Sequence, residues 1–145
     1  MSAKIFVDTN ILIYAHDKDA GQKYDICASV LRSLWQQRTG VISTQVLQEF
    51  YVNVTRKIAN PLSKPKAREI IESYLAWHVE LNDIVTMLAA SELEERYQLS
   101  FWDALIVAAA TNAKADKIIT EDMNHGKIIE GIRIENPFSA DAQNP

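Results

Sequence analysis

Short apolar runs that alternate with longer stretches of helical period constrain this chain more than any other feature. Lys4-Ile5-Phe6-Val7, Val41-Ile42, His78 to Asn82, Lys117-Ile118-Ile119-Thr120 and Gly131-Ile132-Arg133-Ile134 each read as a brief strand. Between them lie the helical segments Ile11 to Ala15, Ala20 to Gln37, a helix running to Ile58, Lys64 to Trp77, Asp83 to Tyr97 and Trp102 to Lys114. Thr9 or Asn10 is expected to cap the first, Ser43 or Thr44 the third and Ser63 the fourth, with Gly40 marking the end of the second. Strands fully covered by helices pair in parallel, so the pattern predicts an α/β fold: a three-layer α/β/α sandwich around a five-stranded parallel sheet.

Ligands of such sheets bind beyond the carboxyl ends of the strands. Asp8 follows the first strand directly and Asp122 follows the fourth. Glu49 stands one turn inside its helix, and Asp103 opens the apolar helix Ala104-Leu105-Ile106-Val107-Ala108-Ala109-Ala110. Each acid adjoins a run that must be buried, where an isolated charge is unfavourable unless it is paired or bound to a metal. Singly, each has an ordinary explanation. Asp103 is a favourable charge at a helix start, Asp8 and Asp122 are common turn residues, and Glu49 can face solvent. Together they are harder to dismiss, because no base lies beside Asp8, Glu49 or Asp103 in sequence. Converging carboxylates suit hard divalent cations, and two such ions would stabilise the charge of a phosphate undergoing hydrolysis.

The acidic segments, in this order, carry a resemblance. Phe6-Val7-Asp8-Thr9-Asn10-Ile11-Leu12, Glu49 within its helix, Phe101-Trp102-Asp103-Ala104-Leu105-Ile106 and Thr120-Glu121-Asp122 resemble the PIN-domain nucleases. Within them the chain is most similar to the VapC-type toxins of type II toxin–antitoxin pairs, over roughly Lys4 to Phe138. The resemblance implies magnesium or manganese dependence, with Asp8, Glu49, Asp103 and Asp122 as both metal ligands and catalytic groups. It implies endonucleolytic cleavage of RNA, frequent homodimers, and a small antitoxin that covers the site. Glu121 remains an alternative fourth acid; the Thr-x-Asp spacing favours Asp122.

Composition agrees. The chain has 145 residues, 48% of them hydrophobic, enough for one domain with a buried core; residues 1–138 are assigned to it and 139–145 to an irregular tail. The formal charge of −4 is unusual for a nucleic-acid binder, but setting aside the four acids leaves 15 acids against 15 bases. Arg56, Lys57, Lys64, Lys66 and Arg68 cluster without an intervening acid, as a phosphate-attracting patch or simply a solvated face. A signal peptide is not expected, no apolar run is long enough to span a membrane, and one cysteine, Cys27, fits a core position in a cytoplasmic protein.

Other residues are read conservatively. Thr9, Asn10 and Thr120 can support metal-bound carboxylates, although the first two are also good caps. Ser100 reads as a cap, and Trp102 as packing at a helix start or dimer contact rather than an RNA stack. Tyr51, Trp35 and Trp77 read as core or interface. His16, His78 and His125 share no ligand spacing, and only His125 lies near enough to Asp122 to touch a substrate. Two other function classes compete: an inactive PIN-like module that binds RNA or protein, and an aspartyl-phosphate enzyme. Loss of one of the four acids would favour the first, and none is missing. The second commonly shows a further acid two residues after the nucleophile, where this chain has Asn10.

Overall fold

The computed structural model describes residues 3–140, so the predicted tail lies largely outside the described residues. The elements run β1 (Ile5–Val7), α1 (Thr9–Ala15), α2 (Gln22–Gln37), β2 (Gly40–Ser43), α3 (Thr44–Arg56), α4 (Lys64–Tyr74), β3 (His78–Glu80), α5 (Ile84–Tyr97), α6 (Phe101–Asn112), β4 (Lys117–Ile119), β5 (Ile128–Ile129) and β6 (Ile132–Glu135). The sheet order is β3-β2-β1-β4-β6-β5. All five expected strands are present and mutually parallel. The strand count needs one correction: β5 adds a sixth, antiparallel to β6. Glu130 and Gly131 between them both have positive φ, 52° and 77°, the signature of a two-residue mirror-image turn. Glutamate is an uncommon first residue there, which hid the hairpin from the sequence pattern.

The topology dictates the layers. From β1 the chain steps in one direction to β2 and β3, then crosses back to β4 on the other side of β1. Right-handed crossovers therefore put α1 to α4 on one face and α5 with α6 on the opposite face. The packing agrees: α1 contacts α2 and α3, α3 contacts α4, and α5 lies along α6. The reversal makes the gap between β1 and β4 a switch point, where a crevice opens at the carboxyl ends.

Local chemistry explains the boundaries. Asp8, rather than Thr9 or Asn10, caps α1 by accepting a hydrogen bond from the Thr9 N–H. Gly21, at φ 65°, separates a single 3-10 turn (Lys18–Ala20) from α2, so the second helix starts later than its periodicity suggests. It ends at Arg38 in the left-handed region, not at Gly40. Gly40 instead makes room for an indole, since a Cβ there would lie 2.4 Å from the Trp77 ring, which packs directly on the start of β2. Ser43, Ser63, Asp83 and Ser100 cap α3, α4, α5 and α6. The core joins Phe6, Val7, Ile42 and Ile118 of the sheet to Ile11, Phe50 and the whole run Ala104 to Ala110. α6 is apolar all round because both the sheet and α5 cover it. Cys27 is fully buried, as expected.

Candidate active site

The crevice at the switch point holds the predicted acids. β1 ends at Val7 and delivers Asp8; β4 ends at Ile119 and delivers Thr120 to Asp122. The two strand ends are tied by a hydrogen bond from the Asp8 N–H to the Ile119 carbonyl at 3.0 Å. α6 starts beside them with Asp103 in its first turn, and its N–H donates to the Ser100 hydroxyl at 3.1 Å. Asp8, Asp103 and Asp122 each offer a carboxylate oxygen, all within 4.8 Å of one another. Glu49, on α3, stands outside that trio and borders the same cleft of about 250 Å³.

Hydrogen bonds fix the trio in place. Asp8 is 4% exposed. One of its oxygens accepts from the Thr9 N–H at 2.7 Å, the other from the Thr120 hydroxyl at 2.7 Å. That hydroxyl also accepts from the Asp122 N–H at 3.0 Å, so Thr120 orients two acids at once. Asn10 Nδ2 donates to Asp122 at 2.8 Å. The Thr9 hydroxyl donates to Glu49 at 2.6 Å, linking α3 to the cluster. Both threonines and Asn10 thus support carboxylates, in line with the sequence reading.

The electrostatics are unfavourable without a cation. Burial, with smaller contributions from Asp122 and Asp103, raises the Asp8 pKa from 3.8 to about 7, against the opposing hydrogen bonds from Thr120 and Thr9. Burial also raises that of Asp103, and Asp122 and Glu49 add to the effect. No lysine, arginine or histidine borders the cleft. An all-oxygen donor set with several carboxylates and no counter-ion fits a hard divalent cation.

Geometry separates the two candidates for the fourth acid. Glu121 turns away from the cleft, accepting from Lys23 Nζ at 2.8 Å and from the Tyr14 hydroxyl at 2.5 Å. Lys23 sits over the Tyr14 and Phe138 rings, closing a clamp apart from the acids. His125 is also occupied elsewhere, its Nδ1 accepting from the Asn136 N–H at 3.0 Å. Trp102 is 61% exposed and borders the cleft, so of its two expected roles packing at the helix start is not the one seen. Arg56, Lys57, Lys64, Lys66 and Arg68 are solvent-exposed, and none borders the acidic cleft.

Sequence reasoning passed over Gln45 and Asn53, which line the cleft from α3. They stand four residues either side of Glu49, and that helical spacing was the available signal. Gln45 Nε2 donates to the Trp102 carbonyl at 3.4 Å, while its Oε1 is buried without a partner. Asn53 Nδ2 donates to the Glu49 carbonyl at 2.8 Å.

The family model for the PIN domain matches residues 5–130. The chain belongs to the PIN-domain family. The span of that match contains Asp8, Glu49, Asp103 and Asp122, so the resemblance read from the motifs agrees with it. Solved structures share this PIN fold at low identity. One is a toxin–antitoxin complex from Klebsiella pneumoniae, with a TM-score of 0.69 and 20% identity over 94% of this chain and 98% of that one. Another is VapC20 of Mycobacterium tuberculosis, a toxin that cleaves the sarcin–ricin loop, with a TM-score of 0.61 and 19% identity over 79% and 87%. A third is VapBC2 of Rickettsia felis bound to a DNA fragment from its promoter, with a TM-score of 0.63 and 22% identity over 91% and 97%. A search of curated protein sequences finds no match.

Proposed function

We propose that this PIN domain is a metal-dependent endoribonuclease and the toxin of a toxin–antitoxin pair. The observation that carries the reading is the trio Asp8, Asp103 and Asp122, gathered within 4.8 Å at the switch point, in a cleft without a cation of its own. Magnesium or manganese would be held by Asp8, Asp103 and Asp122, with Glu49 completing the site. When bound, the metal supplies Lewis acidity toward a phosphodiester and offsets the charge that develops on it.

The remaining work falls to the chain. Thr120 and Thr9 hold the Asp8 carboxylate in one orientation, and Asn10 does the same for Asp122. Glu49, restrained by Thr9, is placed to accept the proton of an attacking water. The Gln45 and Asn53 amides can hydrogen-bond the ribose or phosphate of the strand in the cleft, and the exposed Trp102 ring can stack on a base beside it.

Partners follow from the same reading. The solved toxin–antitoxin assemblies support an antitoxin partner, and the reading takes it to be small and to cover this site. Leu81, Ile84, Val85 and Leu88 expose an apolar face at the start of α5, which supports a homodimer. Ile84→Glu is expected to leave a monomer in sedimentation; a dimer that persists removes α5 as the contact. Among the described residues no helix is long and apolar enough to cross a membrane, compatible with action in the cytoplasm.

The deciding experiment incubates purified protein with total cellular RNA in magnesium, in manganese and in chelator, beside the Asp8→Asn variant. Metal-dependent cutting that the variant loses is the expected result. Equal cutting by the variant overturns the site, and absence of cutting by antitoxin-free protein overturns the enzyme and favours a binding module.

A further inference from the structure

A larger cleft, of about 560 Å³, opens at the other end of the sheet. It lies where the amino ends of β1, β2 and β3 meet the end of α2, bordered by Lys4, Trp35, Arg38, Thr39, Trp77 and His78. Lys4 and Asp8 flank β1 on opposite sides, so the two clefts are roughly 13 Å apart along the strand direction. Neither shares a residue with the other.

Its chemistry is unlike the acidic site. Among the described residues no aspartate or glutamate borders it. His78 has its Nε2 against Glu80 at 2.8 Å, which leaves Lys4 and Arg38 as the charges available to a ligand. Lys4 Nζ makes a single long hydrogen bond, 3.4 Å to the Ala113 carbonyl, and Asp116 accepts from the Lys4 backbone N–H. The Arg38 guanidinium has no hydrogen bond or ion pair within the described residues. Arg38 is held at the mouth by its left-handed backbone, φ 57°, where it closes α2.

The walls are aromatic and rigid. Trp35 is 37% exposed and backed by Tyr74 and Trp77, with ring centroids 5.3 Å and 5.4 Å away. Trp77 is itself pinned against Gly40, where no side chain intervenes. Thr39 is 7% exposed, and its hydroxyl is buried with no hydrogen-bond partner. Its backbone is fully used, the N–H donating to Leu34 and the carbonyl accepting from Ile5. An unpaired buried hydroxyl is unfavourable until an acceptor reaches it.

We propose that this cleft is a second, nucleotide-binding site, in which a base stacks on Trp35, Lys4 and Arg38 hold the phosphate, and Thr39 donates to the ligand. Indole surface beside two uncompensated cations selects a planar ring that carries an anion. Arginine suits phosphate because its planar fork makes paired hydrogen bonds. Two sources provide that chemistry, a free mononucleotide and one residue of a single-stranded RNA. The proposal stands on the cleft alone and does not require the acidic site to be a nuclease.

The test uses the full chain in chelator, where the metal-free acidic cleft repels anions. The probes are adenosine and uridine 5′-monophosphates and a short single-stranded oligoribonucleotide, followed by the indole N–H signals of Trp35 and Trp77 in nuclear magnetic resonance. Saturable shifts of these signals are expected. They should weaken by about tenfold or more in the double variant Lys4→Gln, Arg38→Gly, in which glycine suits the positive φ and keeps the fold. An oligonucleotide that binds more tightly than the monophosphates, and competes with them, assigns an RNA strand. Equal affinities assign the free nucleotide. No saturable shift with any probe, or an affinity the double variant leaves unchanged, overturns the site.

Discussion

The two ends of the sheet are opposite in nearly every respect that matters for a ligand. At the carboxyl ends of β1 and β4 a small cleft gathers acids around a fully buried strand terminus and has no base. At the amino ends of β1, β2 and β3 a cleft more than twice as large has aromatic walls, the cations Lys4 and Arg38 and, among the described residues, no acid. The larger of these two clefts is at the wrong end for hydrolytic chemistry. Charge that is unfavourable in the resting protein is the better guide, because burial and mutual repulsion are tolerated where a cation relieves them.

The largest expected effect breaks the acidic end. Asp8→Asn removes the most buried of the proposed ligands, and RNA cleavage in magnesium should fall about 100- to 1,000-fold, read from initial rates. A variant with full activity would place the chemistry elsewhere.

Next in size is the pH dependence of stability in chelator. Asp8 has a pKa of 3.8 when unfolded and about 7 in the fold, so the folded state binds its proton more tightly. Its contribution is complete below about pH 4 and is lost as pH rises through about 7, a loss of roughly 4 kcal/mol. Asp103, also raised, acts in the same direction. Melting temperatures of the metal-free protein should therefore decline between about pH 4 and pH 7, more steeply than for Asp8→Asn. Parallel profiles for the two proteins would mean that Asp8 is not the strained group. Magnesium should reverse the trend, since it binds the ionised form.

The third test strikes the other end. Gly40→Ala forces a methyl group into the Trp77 ring and should cost about 2–3 kcal/mol in denaturant unfolding, because neither the strand nor the packed indole has room to yield. A variant of normal stability would show that the aromatic wall is mobile.

The smallest effect separates two neighbouring acids. Glu121 has a lysine and a tyrosine as partners, and Lys23 is 45% exposed in its side chain, so Glu121→Gln should lose only about 0.5 kcal/mol in a thermal melt. Its cleavage rate should stay within about twofold of the parent, whereas Asp122→Asn should lose most of the activity. Similar losses in both would return Glu121 to the site.

These neighbours also show how far the sequence could be read. The five parallel strands, most helix limits and the serine caps were visible because they depend on residues close together in the chain. So were the four acids, since an unpaired charge beside an apolar run stands out locally. The choice between Glu121 and Asp122 did not stand out, because it rests on Lys23, which is 98 residues away. Gln45 and Asn53 were passed over because a neutral amide on a helix carries no visible penalty. The short β5 depended on a Glu-Gly turn that only tertiary pairing makes worthwhile. Trp35 and Trp77 read as core or interface from sequence, and only the structure puts one of them at the lip of a cleft.

The placement of β1 has a consequence for the birth of the molecule. It carries Asp8 yet is flanked on one side by β4, whose residues lie about a hundred positions later. During synthesis β1 can zip to β2 early, but its other edge stays open until the ribosome has released the chain beyond Asp122. Half-made copies therefore carry Asp8 and Glu49 without the neighbours that concentrate their charge. Whatever danger the finished cluster presents to the cell that makes it, an unfinished chain does not share it.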